Sequence, residues 1–522
     1  ESGSVSAVSS PGCALSQMRA AQAGTSQAGA APAGAQPASS PAHGEAEAMV
    51  SSAVGLARAV QPAWAQLPVR ERAALARRFS RLVLAAEDEI LDVITQETHK
   101  NRLSAFEEVL DVALLAAYYA GTAPRLLRPS SRRGAVPLLT HTTQTHHPRG
   151  VVGVITPWNY PFTLPASDSL PALLAGNAVV LKPDDATKRS AALVADLLAR
   201  AGLPDGLFQI VNGPGPSVGA ALVRAADFIQ FTGSTATGRV VAAACGEELT
   251  PFSCELGGKN VMLVLSDADV EAAADGAVRA CFSTSGQLCV SMEKIYVHRD
   301  LEEAFTQAFL SRVAAMRVGP GSDWDIDMGG LISVPHLAKV MSHIEDAVAK
   351  GARVLAGGRQ RPDLGPTFME PTVLTDVTAE MIVSSQETFG PVVTLARMES
   401  DAEAAEISAR GEYGLNASLW SRSHGRALAG SLSAGSVNLN EGYAATWGSH
   451  DASIGGWRDS GLGARHGREG LLKYTRVQTV SQQRVLPLGS SRLLSNAGYH
   501  RLMASAAPVL GAITSRLRSR KG

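Results

Sequence analysis

"GVVGVITPWNYPFTLPASDSLPALLAGNAVVLKPDD", Gly150 to Asp185, carries the rhythm that decides the fold. "GVVGVITPW" reads as a strand, "SLPALLAGN" as a helix that stops near Gly176 and Asn177, and "AVVLKP" as the next strand. The pattern continues downstream. "KRSAALVADLLARAGLP" is a helix with its stop at Gly202 and Pro204, "LFQIVNG" a strand, "SVGAALVRA" a short helix, "DFIQFTGS" a strand and "TATGRVVAAAC" a helix. Strands and helices alternating at this spacing make βα units around a parallel sheet. The fold class is open α/β, with ligands expected beyond the carboxyl ends of the strands.

A second α/β region starts near Cys281, with "KIYVHR", "LEEAFTQAFLSRVAAM", "ISVPHLAKVMSHIEDAVAKG" and "RVLAGG", then "PVVTLARM", "ASLWS" and "GSVNLN". Two α/β domains with a cleft between them are the simplest arrangement. Upstream, residues from about 44 to 120 space their apolar side chains by three and four, which predicts helices. Residues 1–43 carry too few large apolar groups to offset the entropy of ordering, which predicts a disordered tail. The threonine-rich run 132–149 predicts a hairpin outside the main sheet, and "LLKYTRVQTV" a late strand that pairs with it. From about residue 491 the chain turns apolar and then basic, as in "APVLGAITSRLRSR". That fits a peripheral helix; membrane contact there has little support.

The formal net charge of -1 gives no overall pull towards nucleic acid or an anionic membrane. Cysteines at 13, 245, 254, 281 and 289 form neither a paired disulfide framework nor a zinc spacing. The expected compartment is reducing, hence cytoplasmic. His141, His146 and His147 lack flanking Cys, Asp or Glu and read as a solvated surface strand, so no metal is expected. No stretch reaches the length of a membrane span.

Cys289 ends "SGQLC", whose small residues permit a tight backbone path. A buried core cysteine is one reading. A nucleophile with a backbone N–H aimed at an oxyanion is the other. Glu255 in "CELGGKN" follows a strand and precedes two glycines; it is a surface carboxylate or a general base. Asn159 in "ITPWNYP" is a turn residue or an oxyanion donor. "FTGSTATG" ends a strand and opens a helix, where free N–H groups and the Ser234 hydroxyl suit an anion. "GSTATGRV" lacks the Lys-Ser/Thr of a P-loop, and "GPGPSVG" lacks the G-x-G-x-x-G spacing, so a nucleotide would bind without the usual fingerprint.

Together, "TPWNYP", "VVLKPDD", "FTGSTATG", "ELGGKN", "GQLC", "ETFGPVV" and "NLNEG", in order over residues 45–485, resemble the aldehyde dehydrogenase superfamily. With "GLGARHGREGLLKYT", the chain looks most like its actinobacterial succinate-semialdehyde dehydrogenase group. The resemblance implies a cofactor domain (44–131 and 150–280), a catalytic domain (281–472), oligomerisation strands (132–149 and 473–490) and a C-terminal tail (491–522). It implies Cys289 as nucleophile, Asn159 as oxyanion donor and Glu255 as the base that activates water on a thioester. It places the cofactor against Thr156, Pro157, Trp158, Lys182, Asp185, Gly233, Ser234, Gly257, Glu387 and Phe389. It implies a homodimer or homotetramer.

The cofactor expectation is NADP, with NAD possible. Asp185, three residues beyond Lys182, opposes a 2′-phosphate, whereas Lys182 favours it. The substrate expectation is succinate semialdehyde, oxidised to succinate, although the arginines that usually hold its carboxylate are replaced near Ser167 and Ser283. Ser167, Ser283, Ser285 and Arg465 are the candidate partners for that carboxylate, and Tyr443 and Trp447 the aromatic walls. Another aliphatic, aromatic or amino aldehyde is the alternative, and a non-catalytic binding role the remaining one.

Overall fold

The computed structural model describes residues 41–136, 140–321, 323–484, 489 and 494–516. The expected N-terminal tail therefore lies almost wholly outside the described residues; from Pro41 the chain is helical. Four helices, Pro41–Gln66, Val69–Ala85, Glu87–Thr98 and Arg102–Leu126, precede the first sheet. Val69–Ala85 buries Leu75, Ala76, Phe79 and Val83, the three-and-four spacing that its sequence shows.

The first sheet has six strands in the order Gly461–Leu462, Phe252–Glu255, Phe228–Thr232, Val151–Ile155, Ala178–Lys182, Phe208–Ile210. Its neighbours are parallel except the first pair. The chain enters at Val151–Ile155, builds outward to Phe208–Ile210, then returns to build the other flank from Phe228. This reversal is a topological switch point, and ligands bind at the carboxyl ends there. Both central strands, Val151–Ile155 and Ala178–Lys182, are buried throughout, which is why they read as unbroken apolar runs.

The second sheet has seven strands: Arg353–Ala356, Thr372–Thr375, Val392–Met398, Met292–His298, Asn260–Val264, Asn416–Trp420 and Ser436–Leu439. Only the Arg353–Ala356 edge is antiparallel. The fold class is thus two open α/β units, as the sequence predicts. The crossing between sheets falls at the Gly257–Gly258 pair, not near Cys281, because Asn260–Val264 already lies inside the second sheet.

A third sheet stands apart. Ser130–Arg133 pairs with Thr140–Pro148, which pairs antiparallel with Thr475–Gln483 from Thr140↔Gln483 to Pro148↔Thr475. The late segment differs from expectation at its start. Gly467–Leu472 is helical, and the strand begins only at Thr475. Leu471 and Tyr474 are fully buried against the first core, and that packing overrides the strand-like composition. His141, His146 and His147 lie on the middle strand, bonded to Thr143, Thr475, Thr145 and Gln478. The outer strand exposes Val477 and Val480. A helix, Asn496–Arg516, ends the described chain, and no described helix is long and apolar enough to cross a membrane.

Candidate active site

Loops at the switch point of the first sheet face the Cys289 loop of the second region across one cavity of about 230 Å³. Trp158, Asn159, Ser234, Glu255, Cys289 and Glu387 all line it, with Pro157, Gly233, Gly257, Phe389, Trp447 and Arg465 completing its wall.

The nucleophile loop is built by backbone constraint. Thr284, Ser285 and Gly286 all have positive φ, at 53°, 56° and 68°. A Cβ on Gly286 would stand 2.2 Å from the Gly390 carbonyl oxygen, so only glycine fits. The loop is then tied down by side-chain amides. Asn260 Nδ2 donates to the carbonyls of Cys289 and Ser291, each at 2.7 Å. Asn416 Nδ2 donates to the Val290 carbonyl at 3.0 Å, and Gln287 Oε1 accepts from the Ile332 N–H at 2.9 Å. Asn159 Nδ2 donates to the Gln287 carbonyl at 3.1 Å; an amide nitrogen carries a second hydrogen for a further acceptor. Burial pushes the Cys289 thiol up to about 12, with Glu387 and Glu255 adding to the rise and Arg465 opposing it.

Glu255 ends the strand Phe252–Glu255. Its Oε1 is buried and has no hydrogen-bond partner among the described residues. Burial raises its pKa above the usual 4.5, against the pull of Arg465 and Lys473. A buried, unpartnered carboxylate beside a thiol is the arrangement a general base requires.

Glu387 accepts from the Gly258 N–H at 2.8 Å, and a Cβ on Gly257 would meet its Oε2 at 2.3 Å. Burial lifts it to about 7, with Glu293 adding to the rise. Glu293, ion-paired to Lys259, accepts the backbone N–H groups of Thr388 and Phe389. Phe389, at φ 58°, meets Trp158 edge-on at 5.5 Å. Lys182 Nζ is bonded to the Pro183 carbonyl at 2.9 Å, and Ser234 caps the helix Thr235–Glu247. Asp185 is half exposed, holding Lys188 at 3.0 Å and the Gly213 N–H at 3.2 Å. Thr156 is buried with an unpartnered Oγ1. A cation, an unpartnered hydroxyl and a helix start at the ends of adjacent parallel strands fit a nucleotide.

The candidate partners for a carboxylate lie at different places. Ser285 Oγ donates to the Gly329 carbonyl at 3.0 Å. Ser167 lines a small cavity with Asp168, Arg465, Lys473 and Tyr474, and its Oγ is buried without a hydrogen-bond partner among the described residues. Ser283 follows the helix Val270–Phe282. Arg465 lines both that cavity and the Cys289 cavity. Its Nη2 donates to Asp168 Oδ2 at 2.8 Å and Thr232 Oγ1 at 2.5 Å, while its Nε is buried without a partner among the described residues. Lys339 also lines the Cys289 cavity. Tyr443 lines an adjoining cavity, described below, and Trp447 lines both. The sequence reading passed over Asn260, Gln287, Glu293 and Asn416. Asn260 lies inside the quoted "ELGGKN" and Gln287 inside "GQLC", so motif membership was their one signal.

The aldehyde dehydrogenase family model matches residues 19–480. A Mycolicibacterium smegmatis protein named "Putative succinate-semialdehyde dehydrogenase [NADP(+)]" is 52% identical over 451 residues, spanning 85% of this chain and 87% of that protein. A 3-sulfolactaldehyde dehydrogenase of Pseudomonas putida is 35% identical over 435 residues, spanning 81% of this chain and 86% of that protein. Among solved structures, an E. coli NADP-dependent enzyme is similar with a TM-score of 0.80 at 32% identity, covering 84% of this chain and 90% of that one. A Staphylococcus aureus betaine aldehyde dehydrogenase in complex with NAD+ gives 0.80 at 30% identity, covering 84% and 88%. The chain belongs to the aldehyde dehydrogenase family. It is an NAD(P)-dependent oxidoreductase of that class.

The Asp168–Arg465 pair is a stability element in its own right. Both side chains are almost fully buried, at 2% and 6% exposure. Arg465→Met leaves Asp168 without its counter-charge and should cost about 3–5 kcal/mol, with Asp168→Asn added to Arg465→Met recovering part of it. Urea unfolding checks this; an unchanged midpoint in the single variant would remove the pair from the account.

Proposed function

We propose that this protein oxidises an aldehyde to the free acid with NADP, through a thioester on Cys289 that a Glu255-activated water hydrolyses. The observation that carries this reading is the meeting of Cys289, Asn159 and Glu255 in one cavity. The Cys289 thiol gives its proton to water as its sulfur attacks the aldehyde carbonyl carbon. The Asn159 amide and the Cys289 N–H receive the charge that develops on oxygen. A bound NADP, which Lys182, Ser234 and Glu387 would hold, would supply the hydride acceptor that lets this adduct become the thioester. Glu255 removes a proton from water, and the resulting attack releases the acid and the Cys289 thiol. Lys182 and the start of the helix Thr235–Glu247 hold the cofactor's anionic groups, and Glu387 meets a ribose.

The relative's name supports NADP, and also brings succinate semialdehyde to this chain as a substrate. For its carboxylate the Cys289 cavity offers Lys339 and the Arg465 Nε, which has no partner among the described residues. The pairing of Arg465 Nη2 to Asp168 favours the second reading, an aldehyde without a distal carboxylate.

Cys289→Ala should lose all dehydrogenase activity and keep cofactor binding. Glu255→Gln should release one equivalent of reduced cofactor and then stall, seen by rapid quench. The base must be ionised to act, so wild-type hydrolysis should fall as pH drops through the raised Glu255 pKa, above its ordinary 4.5. The glutamine variant should lack that limb. Full steady-state turnover by this variant would remove Glu255 from the mechanism.

Asp185 should weigh against NADP. A unit charge near the phosphate is worth roughly 1–4 kcal/mol at intermediate dielectric, so Asp185→Ser should shift kcat/KM towards NADP by about tenfold or more. Unchanged constants for both cofactors would show that Lys188 and the Gly213 N–H hold Asp185 away.

The outer strand Thr475–Gln483, with exposed Val477 and Val480, supports a homodimer or a homotetramer, since an open apolar edge otherwise invites aggregation. Sedimentation at micromolar concentration should show a dimer or tetramer, and a monomer alone would overturn this.

A further inference from the structure

A second cavity, of about 160 Å³, adjoins the first and shares Tyr160, Leu288, Val290 and Trp447 with it. Cys289 packs against the apolar cluster that contains Tyr160 and Tyr443. The hydroxyls of both rings meet one carboxylate. Glu107 Oε2 accepts the Tyr443 hydroxyl at 3.2 Å and the Tyr160 hydroxyl at 3.4 Å. It faces the second cavity beside Asp111 and Trp447.

The charges around it do not balance. Glu107, Glu108 and Asp111 lie on one helix, Arg102–Leu126. Lys100 is the ammonium among them, and it is committed to Glu108 at 2.6 Å with both side chains fully buried. Lys100 also covers the Tyr160 ring, 3.8 Å from its centroid. Asp111 Oδ1 meets His450 Nε2 at 3.0 Å, while its Oδ2 is buried without a partner. Among the described residues, no lysine or arginine lines this cavity. Glu107 therefore presents a carboxylate to a cavity walled by Tyr160, Tyr443 and Trp447.

A carboxylate framed by aromatic rings binds a cation by charge and by the ring quadrupoles. It repels a second carboxylate at the same place. We infer that Glu107, with Tyr160, Tyr443 and Trp447, recognises a positively charged group carried by the substrate, so that the aldehyde belongs to the ω-amino or ω-trimethylammonio class. This rests on Cys289 being the nucleophile; the carbonyl sits at Cys289 in the first cavity, and the cationic end at Glu107 in the second. Burial raises the Glu107 carboxyl, while Lys100 and the two tyrosine hydroxyls pull it back. A cation seated beside it holds it ionised.

The test uses three aldehydes on the full chain with NADP and with NAD. 4-Trimethylammoniobutanal is cationic and cannot cyclise. 5,5-Dimethylhexanal has the same shape with carbon in place of nitrogen. Succinate semialdehyde carries the opposite charge. Wild-type kcat/KM should favour the cation over its neutral isostere by about tenfold or more, with succinate semialdehyde last. Glu107→Gln should bring the two isosteres to equal kcat/KM. Because the wild-type ratio is itself decisive, a variant that fails to fold does not shelter the inference. Equal kcat/KM for the isosteres, or a preference for succinate semialdehyde, overturns it and leaves the cysteine chemistry standing. Turnover of none of the three overturns the catalytic assignment, and this inference with it.

Discussion

The active site depends on one carboxamide. Asn260 fastens two separate segments with both of its donors and its oxygen: Nδ2 holds the Cys289 and Ser291 carbonyls, and Oδ1 accepts the Asn416 N–H at 3.0 Å. It sits at the start of the strand Asn260–Val264, in the middle of the second sheet. The approach is so close that a Cβ on Gly258 would come 2.7 Å from both Asn260 Oδ1 and the Cys289 carbonyl. The glycine pair therefore does two things. It lets the chain leave Glu255 for the other sheet, and it clears the space through which the strand grips the nucleophile loop. Each buried hydrogen bond lost here would leave a polar group stranded at a cost of about 1–3 kcal/mol. Glu255 and Cys289 are thus separated in sequence but joined by a stretch of backbone with little freedom.

The same stretch sets the cofactor side. Lys259, next to Asn260, pairs with Glu293 on the adjacent strand Met292–His298. Glu293 then collects the backbone N–H groups of Thr388 and Phe389. That fixes the left-handed turn at Phe389 and directs Glu387 onto the Gly258 N–H. Breaking such a buried pair on one side costs more than forming it gains. Its value here is positional, because Glu387 and Phe389, on either side of the Thr388 N–H that Glu293 holds, line the cavity.

Much of this was legible in the sequence, for identifiable reasons. Strands such as "GVVGVI" and "AVVLK" are buried on both faces, so their composition alone shows them. Cys289, Glu255 and Asn159 stand in glycine- or proline-marked turns at strand ends, where side chains are freed for chemistry. What composition hides is pairing across long separation. "LLKYT" has the residues of a strand, yet Leu471 and Tyr474 drop into the first core and the segment winds into a helix. Arg465 looked like a free cation because nothing local answers it. Its partner Asp168 lies on the helix Thr163–Leu174, 297 positions away in the chain. Ser285 looked like a free hydroxyl, and a backbone carbonyl of Gly329 already takes it. Glu107 went unread for the opposite reason: it sits in an ordinary amphipathic helix, and only folding turns it towards the nucleophile.

Burial acts on three carboxyls of this site in the same direction, raising Glu107, Glu255 and Glu387. Their different partners separate what they can do. Glu387 is held by a backbone N–H. Glu255 has an oxygen left unpartnered among the described residues, as the proposed base would need. Glu107 is held by two phenols, as the proposed recognition of a cation would use. One physical effect, desolvation of an anion, therefore meets three different sets of partners. The distribution of hydrogen-bond donors around each carboxylate separates them, and that distribution is set by which strand end or helix each one occupies.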